Sequence, residues 1–162
     1  MNKTSFSTEK NKLFVTRTFN APLALVWRAW TEAELLDKWW APRPWQSVTT
    51  EMDFKENGLR VYYMAGPEGE KHWCRTNYKT VDMHKHFTGA DAFADEAGNI
   101  NEAMPVGLFS VQFNADSNQT EVTNITEYPS EADLQKVIEM GMKEGLSMAF
   151  QNLDEVLAGI SA

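Results

Sequence analysis

The sequence predicts an α+β fold: a curved antiparallel sheet of about seven strands lying against one long C-terminal helix, with two short helices after the first strand. Three observations carry this. Residues 46–128 break into short alternating segments separated by turn compositions. Residues 130–158 form one amphipathic helical run. Residues 19–44 hold two short helical signals and four of the six tryptophans.

The first ten residues are polar and read as a frayed terminus, leaving a single domain over 11–160. Residues 12–19 (KLFVTRTF) alternate apolar and polar side chains and read as a strand. Pro22 suits a first helical position, where its missing N–H costs nothing. Leu23, Val26, Trp27 and Trp30 follow at helical spacing. Thr31 and Glu34 have capping-box spacing and predict the start of a second short helix through Leu35, Leu36 and Trp39. Pro42 and Pro44 end it.

Six further strands are predicted at 48–54, 59–65, 71–81, 84–93, 106–114 and 120–128. The breaks between them are rich in Gly, Asn, Asp and Pro, so hairpins connect them. Ser130 and Asp133 then resemble a capping box. At 100° per residue, Leu134, Ile138, Gly141, Gly145, Ala149, Leu153 and Val156 share one arc, and Lys136, Lys143, Glu144, Gln151 and Asp154 the other. That is one helix of about seven turns. It is the element large enough to cover the apolar face of the sheet, and a sheet curved around a helix leaves space at its middle.

Charge and cysteine usage narrow the function classes. Net charge is −8, with no basic stripe, which disfavours nucleic acid as a partner. The single cysteine, Cys74, permits no internal disulfide, and a cytoplasmic protein is expected. The N-terminal residues lack the apolar stretch of a signal peptide, and no apolar run is long enough for a membrane span.

The candidate binding residues come from the aromatic and glycine patterns. Gly141 and Gly145 sit mid-helix on the apolar arc, where each costs about 0.5–1 kcal/mol against alanine. They either admit a close neighbour or leave room for a ligand. Trp39 and Trp40 are adjacent and cannot point the same way, so one faces outward or into an opening. With Trp45, Trp73 and Phe109 they are expected to line or gate an apolar cavity, with Tyr78, His86 and Arg75 as polar anchors. Asp53, Asp91 and Glu127 are the carboxylates that could face the concave side, where burial would raise their pKa.

No catalytic residue and no cofactor is assigned. His84 and His86 stand two apart on a predicted strand, but only His72 and scattered carboxylates could complete a metal site, so none is expected. Cys74 has no C-x-x-C partner or basic flank to make it reactive. Met140 falls on the polar arc, where an exposed methionine is compatible with a subunit contact and a homodimer.

Four motifs, in order, resemble one family. These are RTFNAP at 17–22 with VW, WT and WWAP following to residue 42; GPEG at 66–69; FADEAG at 93–98; and MGMKEG at 140–145 followed by Leu153. They are similar to the activator of heat-shock protein 90 ATPase homologue family, within the START-like, birch pollen allergen-like superfamily. Met142 and Leu146 depart from it, standing where the family often has tryptophan. The resemblance implies a helix-grip fold, a sheet wrapped around the C-terminal helix with a cavity between. The function expected is non-catalytic binding of a hydrophobic or amphipathic small molecule, lipid-like or aromatic. The alternatives are a cochaperone-like interaction module and a cyclase or hydrolase using a cavity acid or base such as Asp53, Glu127 or His86.

Overall fold

The computed structural model describes residues 4–160. The chain runs β1 (Ser5–Glu9), β2 (Lys12–Phe19), α1 (Leu23–Thr31), α2 (Ala33–Trp39), β3 (Gln46–Asp53), β4 (Leu59–Ala65), β5 (Lys71–Asp82), β6 (His86–Phe93), β7 (Gly107–Asp116), β8 (Gln119–Glu127), α3 (Glu131–Glu139) and α4 (Met142–Gly159). All strands join one antiparallel sheet in the order β1-β2-β8-β7-β6-β5-β4-β3.

The sheet has eight strands rather than about seven. Residues 5–9, expected to fray, form β1 by pairing Ser5 with Thr16 through Glu9 with Lys12. Residues 1–3 lie outside the described residues. The segment SFSTE offers one apolar side chain, Phe6, so alternation could not reveal it. The backbone ladder makes the strand, and Phe6 packs against the edge of the core.

Alternation places Leu13, Val15, Arg17 and Phe19 of β2 on the concave face. Arg17 is buried there and pairs with Asp154 of α4. Irregular registers at Thr49/Glu51 and Tyr78/Thr80 interrupt the ladders, and such bulges bend a strand and sharpen its twist. The concave face of the curved sheet is filled at one end by aromatics. Trp27 meets Phe54, Phe87 and Phe113 edge-on, with ring centroids 5.0–5.9 Å away. Trp30 lies 4.8 Å from Trp39 and 5.8 Å from Phe150 of α4.

Thr31 does not cap α2. It is the last residue of α1, and its hydroxyl donates to the Trp27 carbonyl at 2.8 Å. Glu32 takes the cap position in extended conformation, with no side-chain bond. Ser130 does cap α3, accepting from the Asp133 N–H at 3.1 Å.

The predicted seven-turn helix is broken at Gly141. Gly141 adopts φ +92°, ending α3 and opening α4. A helical wheel cannot reveal this, because glycine occupies the apolar arc as readily as it leaves the helix. The two glycines therefore differ. A Cβ on Gly145 would meet only Pro42 Cγ, at an ordinary 3.8 Å, whereas one on Gly141 would be forced into the left-handed region. Gly145→Ala is expected to stabilise the fold by up to about 0.5–1 kcal/mol. Gly141→Ala is expected to destabilise it by about 1 kcal/mol or more. Urea unfolding of both variants checks the opposite signs.

Candidate functional site: a cavity under the broken helix

The aromatic core stops short of the other half of the concave face. There a cavity of about 400 Å³ lies between the sheet and the α3–α4 break. Its roof is Val137, Met140, Gly141, Met142, Gly145 and Leu146. Trp40, Pro42, Trp45 and Tyr128 form the sides. The floor comes from inward positions of six strands: Leu13 and Val15 on β2, Tyr62 and Met64 on β4, His72 and Cys74 on β5, Asp91 and Phe93 on β6, Gly107 on β7, Asn124 and Thr126 on β8.

One polar cluster interrupts this apolar lining. Trp40 Nε1 donates to the Tyr62 hydroxyl at 2.9 Å, and Tyr62 is the cross-strand partner of Cys74. Thr76 Oγ1 donates to Asp91 Oδ1 at 2.6 Å across the β5–β6 ladder. Behind Tyr62, the Arg60 guanidinium stacks on its ring at 3.9 Å and is held by Asp37, Ser47 and Thr49. Asp91 also borders a smaller cavity of about 40 Å³ with Trp30, Arg60, Thr76, Tyr78 and Phe109.

Burial governs the titration of the cluster. It pushes the Asp91 carboxyl up to about 6, against the opposing Thr76 hydrogen bond and Arg60 charge. It pushes the Cys74 thiol up to about 11 and the Tyr128 phenol up to about 12. Tyr62 and Tyr78 are raised for the same reason. At neutral pH the thiol is protonated and Asp91 is the ionised member.

The expected lining residues divide. Trp40, Trp45, Gly141 and Gly145 border the cavity. Trp39 does not: it is buried in the core, with its indole N–H donating to the Ala29 carbonyl at 2.9 Å. Trp73 faces the convex side and stacks on Tyr63 at 4.7 Å, because the inward parity of β5 belongs to His72, Cys74 and Thr76. Tyr78 and Phe109 border the small cavity only.

The other anchors are displaced as well. Arg75 is on the convex face, donating to Asn77 and to the Gly98 carbonyl. His86 begins β6 opposite Asp82 and borders neither cavity. His84 sits in the preceding turn at φ +64°, its ring 5.7 Å from Trp27, so it shares no strand face with His86. Of the three carboxylates, Asp91 alone reaches the cavity. Asp53 ends β3 as an exposed partner of Lys55, and Glu127 has the outward parity of β8. Among the described residues, no three His, Cys, Asp or Glu side chains are grouped to hold a metal ion.

Tyr62, Asn124 and Tyr128 were missed. Period-two alternation carries the signal for Tyr62 and Asn124, but their parity needed the bulges and the partner strands to fix it.

A curved antiparallel sheet gripping a C-terminal helix over an internal cavity is the START-like helix-grip class. Within it, the chain belongs to the activator of Hsp90 ATPase homolog 1-like protein family, whose model matches residues 20–158. A Mycobacterium smegmatis protein, Ms6760, is similar at 29% identity over 99% of this chain and 98% of its own, with TM-score 0.87. An Arthrobacter aurescens protein is 30% identical over 97% and 92%, with TM-score 0.90. CalU16 from Micromonospora echinospora shares the fold alone, at 16% identity over 98% and 75% and TM-score 0.62. No curated protein matches the chain at a significant level. No helix among the described residues is long and apolar enough to cross a membrane.

The raised Asp91 pKa fixes a sign. The folded chain holds this proton more tightly than the unfolded chain, whose value is near the ordinary 3.8. The contribution of Asp91 to stability therefore falls as pH rises from about 4 to about 6 and stays low above. Asp91→Asn keeps an acceptor for Thr76 and removes the buried charge. It is expected to be about 1–3 kcal/mol more stable than wild type at neutral pH, a difference that closes in acid below about pH 4. Urea titrations of both proteins across that range measure it.

Proposed function

We propose that the protein binds a small apolar or amphipathic molecule, without transforming it, in the cavity beneath the α3–α4 break. The observation that carries this reading is the cavity itself. Its volume of about 400 Å³ is within the range of small-molecule sites, and its lining is mostly apolar, with a few polar side chains including Asp91, His72, Asn124 and Thr126. The roof supports it further. Gly145 leaves its space open where an alanine would fit, and Met142 and Leu146, where the family often has tryptophan, both border the cavity. Smaller side chains at these positions enlarge the space.

The interaction-module reading asks for a contiguous apolar patch. The large exposed apolar side chains among the described residues are Met83, Ile100, Leu108, Met140 and Met148, borne by a turn, a loop, β7, the α3–α4 junction and α4. A thiolate mechanism is disfavoured by the raised pKa of Cys74.

Native mass spectrometry of protein purified from its own host tests the proposal. A stoichiometric small-molecule adduct is expected on wild type and is expected to be absent from Gly145→Leu, whose side chain projects into the cavity. That variant should remain folded, since the space it fills is empty of protein. A clean apo mass, with intrinsic tryptophan fluorescence unmoved by a panel of aromatic and lipid probes, would sink the reading.

A further inference from the structure

The charge pattern of the cavity is one-sided. Among the described residues, Asp91 is its only carboxylate, and neither lysine nor arginine borders it. His72, stacked edge-on against Trp45 at 5.1 Å, is the one basic side chain in the lining among the described residues. Thr76 occupies Oδ1 of Asp91, and no other hydrogen bond reaches this carboxyl from the described residues. Arg60 lowers its pKa from a distance but makes its ion pair with Asp37. Asp91 is half-buried at the cavity wall, and a carboxylate partly withdrawn from water without a paired cation carries a cost. An asparagine could accept the same Thr76 hydrogen bond at less cost. The aromatic rings of Trp40, Tyr62 and Tyr128 border the same space, and aromatic faces attract cations.

We infer that the ligand is an organic ammonium: an apolar body carrying a primary or secondary amine whose N–H donates to the free oxygen of Asp91, with Trp40, Tyr62 and Tyr128 around the charge. This rests on the reading that the cavity holds a small molecule, and adds its chemical class. Such a ligand supplies the cation that Asp91 lacks and leaves its body against the Met142 and Leu146 roof. A ligand carboxylate would bring a like charge into a low-dielectric space, which disfavours it strongly. The overall charge of −8 favours the approach of cations and opposes that of anions. The cavity volume equals that of roughly a dozen waters, which suits one or two fused rings.

The test uses three probes with one body: naphthylmethylamine, naphthylmethanol and naphthoate, titrated calorimetrically into the full chain at neutral pH. Wild type is expected to bind the amine about tenfold or more tighter than naphthoate. Asp91→Asn is expected to bring the amine down to the affinity of the alcohol. A wild-type affinity for naphthoate equal to that for the amine, or an unchanged ranking in Asp91→Asn, would overturn the ammonium assignment while leaving a binding cavity. Failure of all three probes to bind would overturn both.

The wild-type protein provides a second readout should the variant not fold. The charged or titratable groups facing Asp91 are Arg60 and Tyr62 of β4, His72, Cys74 and Tyr78 of β5, and Tyr128 beyond β8. As Asp91 gains its proton below about pH 6, the ratio of amine to alcohol affinity should fall, and His72→Gln should retain that fall. A ratio that is flat through this range would count against the ammonium.

Discussion

The contact of Trp30, Trp39 and Phe150 is the constraint on which the rest of the molecule depends. It brings α1, α2 and α4 to one point, with ring centroids 4.8–6.1 Å apart. Each ring removes a large apolar area from water, and their edge-on and tilted packing adds to that burial. Trp30 also reaches Phe113 of β7 at 6.1 Å, so the three helices are fixed to the sheet through the same group. Because this knot sits at one end of the concave face, α4 is anchored there. Its N-terminal half passes over a part of the sheet that no large aromatic fills.

The unfilled half is where the fold carries its costs. A glycine stands in the first turns of α4, a left-handed residue breaks the helix before it, and a buried carboxylate lies in the floor. Gly145 and Asp91 oppose stability, Gly141 suits the left-handed torsion it adopts, and all three border the same space. The stabilising features lie elsewhere. The indole of Trp39 is satisfied by the Ala29 carbonyl, Asn152 of α4 donates to the Ala41 carbonyl, and Arg60 gathers Asp37, Ser47 and Thr49 behind the cavity wall. Local departures from the best-folding residue concentrate at functional positions.

Much of this was legible in the chain. Alternating segments and their turns located β2 to β8, and the amphipathic arc found the face of α4 that meets the sheet. The failures have physical causes. β1 is held by backbone pairing, which leaves no side-chain pattern. The α3–α4 break depends on one backbone torsion at Gly141, and a wheel drawn on side chains has no access to it. Trp73 and His86 were misplaced because strand parity is decided by where bulges and turns fall: Trp73 lies opposite Tyr63 on the convex face, and the β5–β6 turn takes in His84. Trp39 turns into the core while Trp40 borders the cavity. Which of them turns inward to the core follows from the Ala29 carbonyl, ten residues away and invisible to local pattern.

The break at Gly141 separates two kinds of inheritance within one domain. The polar floor is written on β4, β5, β6 and β8, strands that also build the sheet and so resist change. The roof is written on Val137 and on Met140 to Leu146, none of which contributes a ring to the aromatic knot at Phe150. Substitutions there reshape the space while the anchoring chemistry beneath stays intact. A lineage carrying this fold can therefore drift in the size and outline of its cavity by editing about two helical turns, without having to reinvent either its core or the polar cluster of its floor.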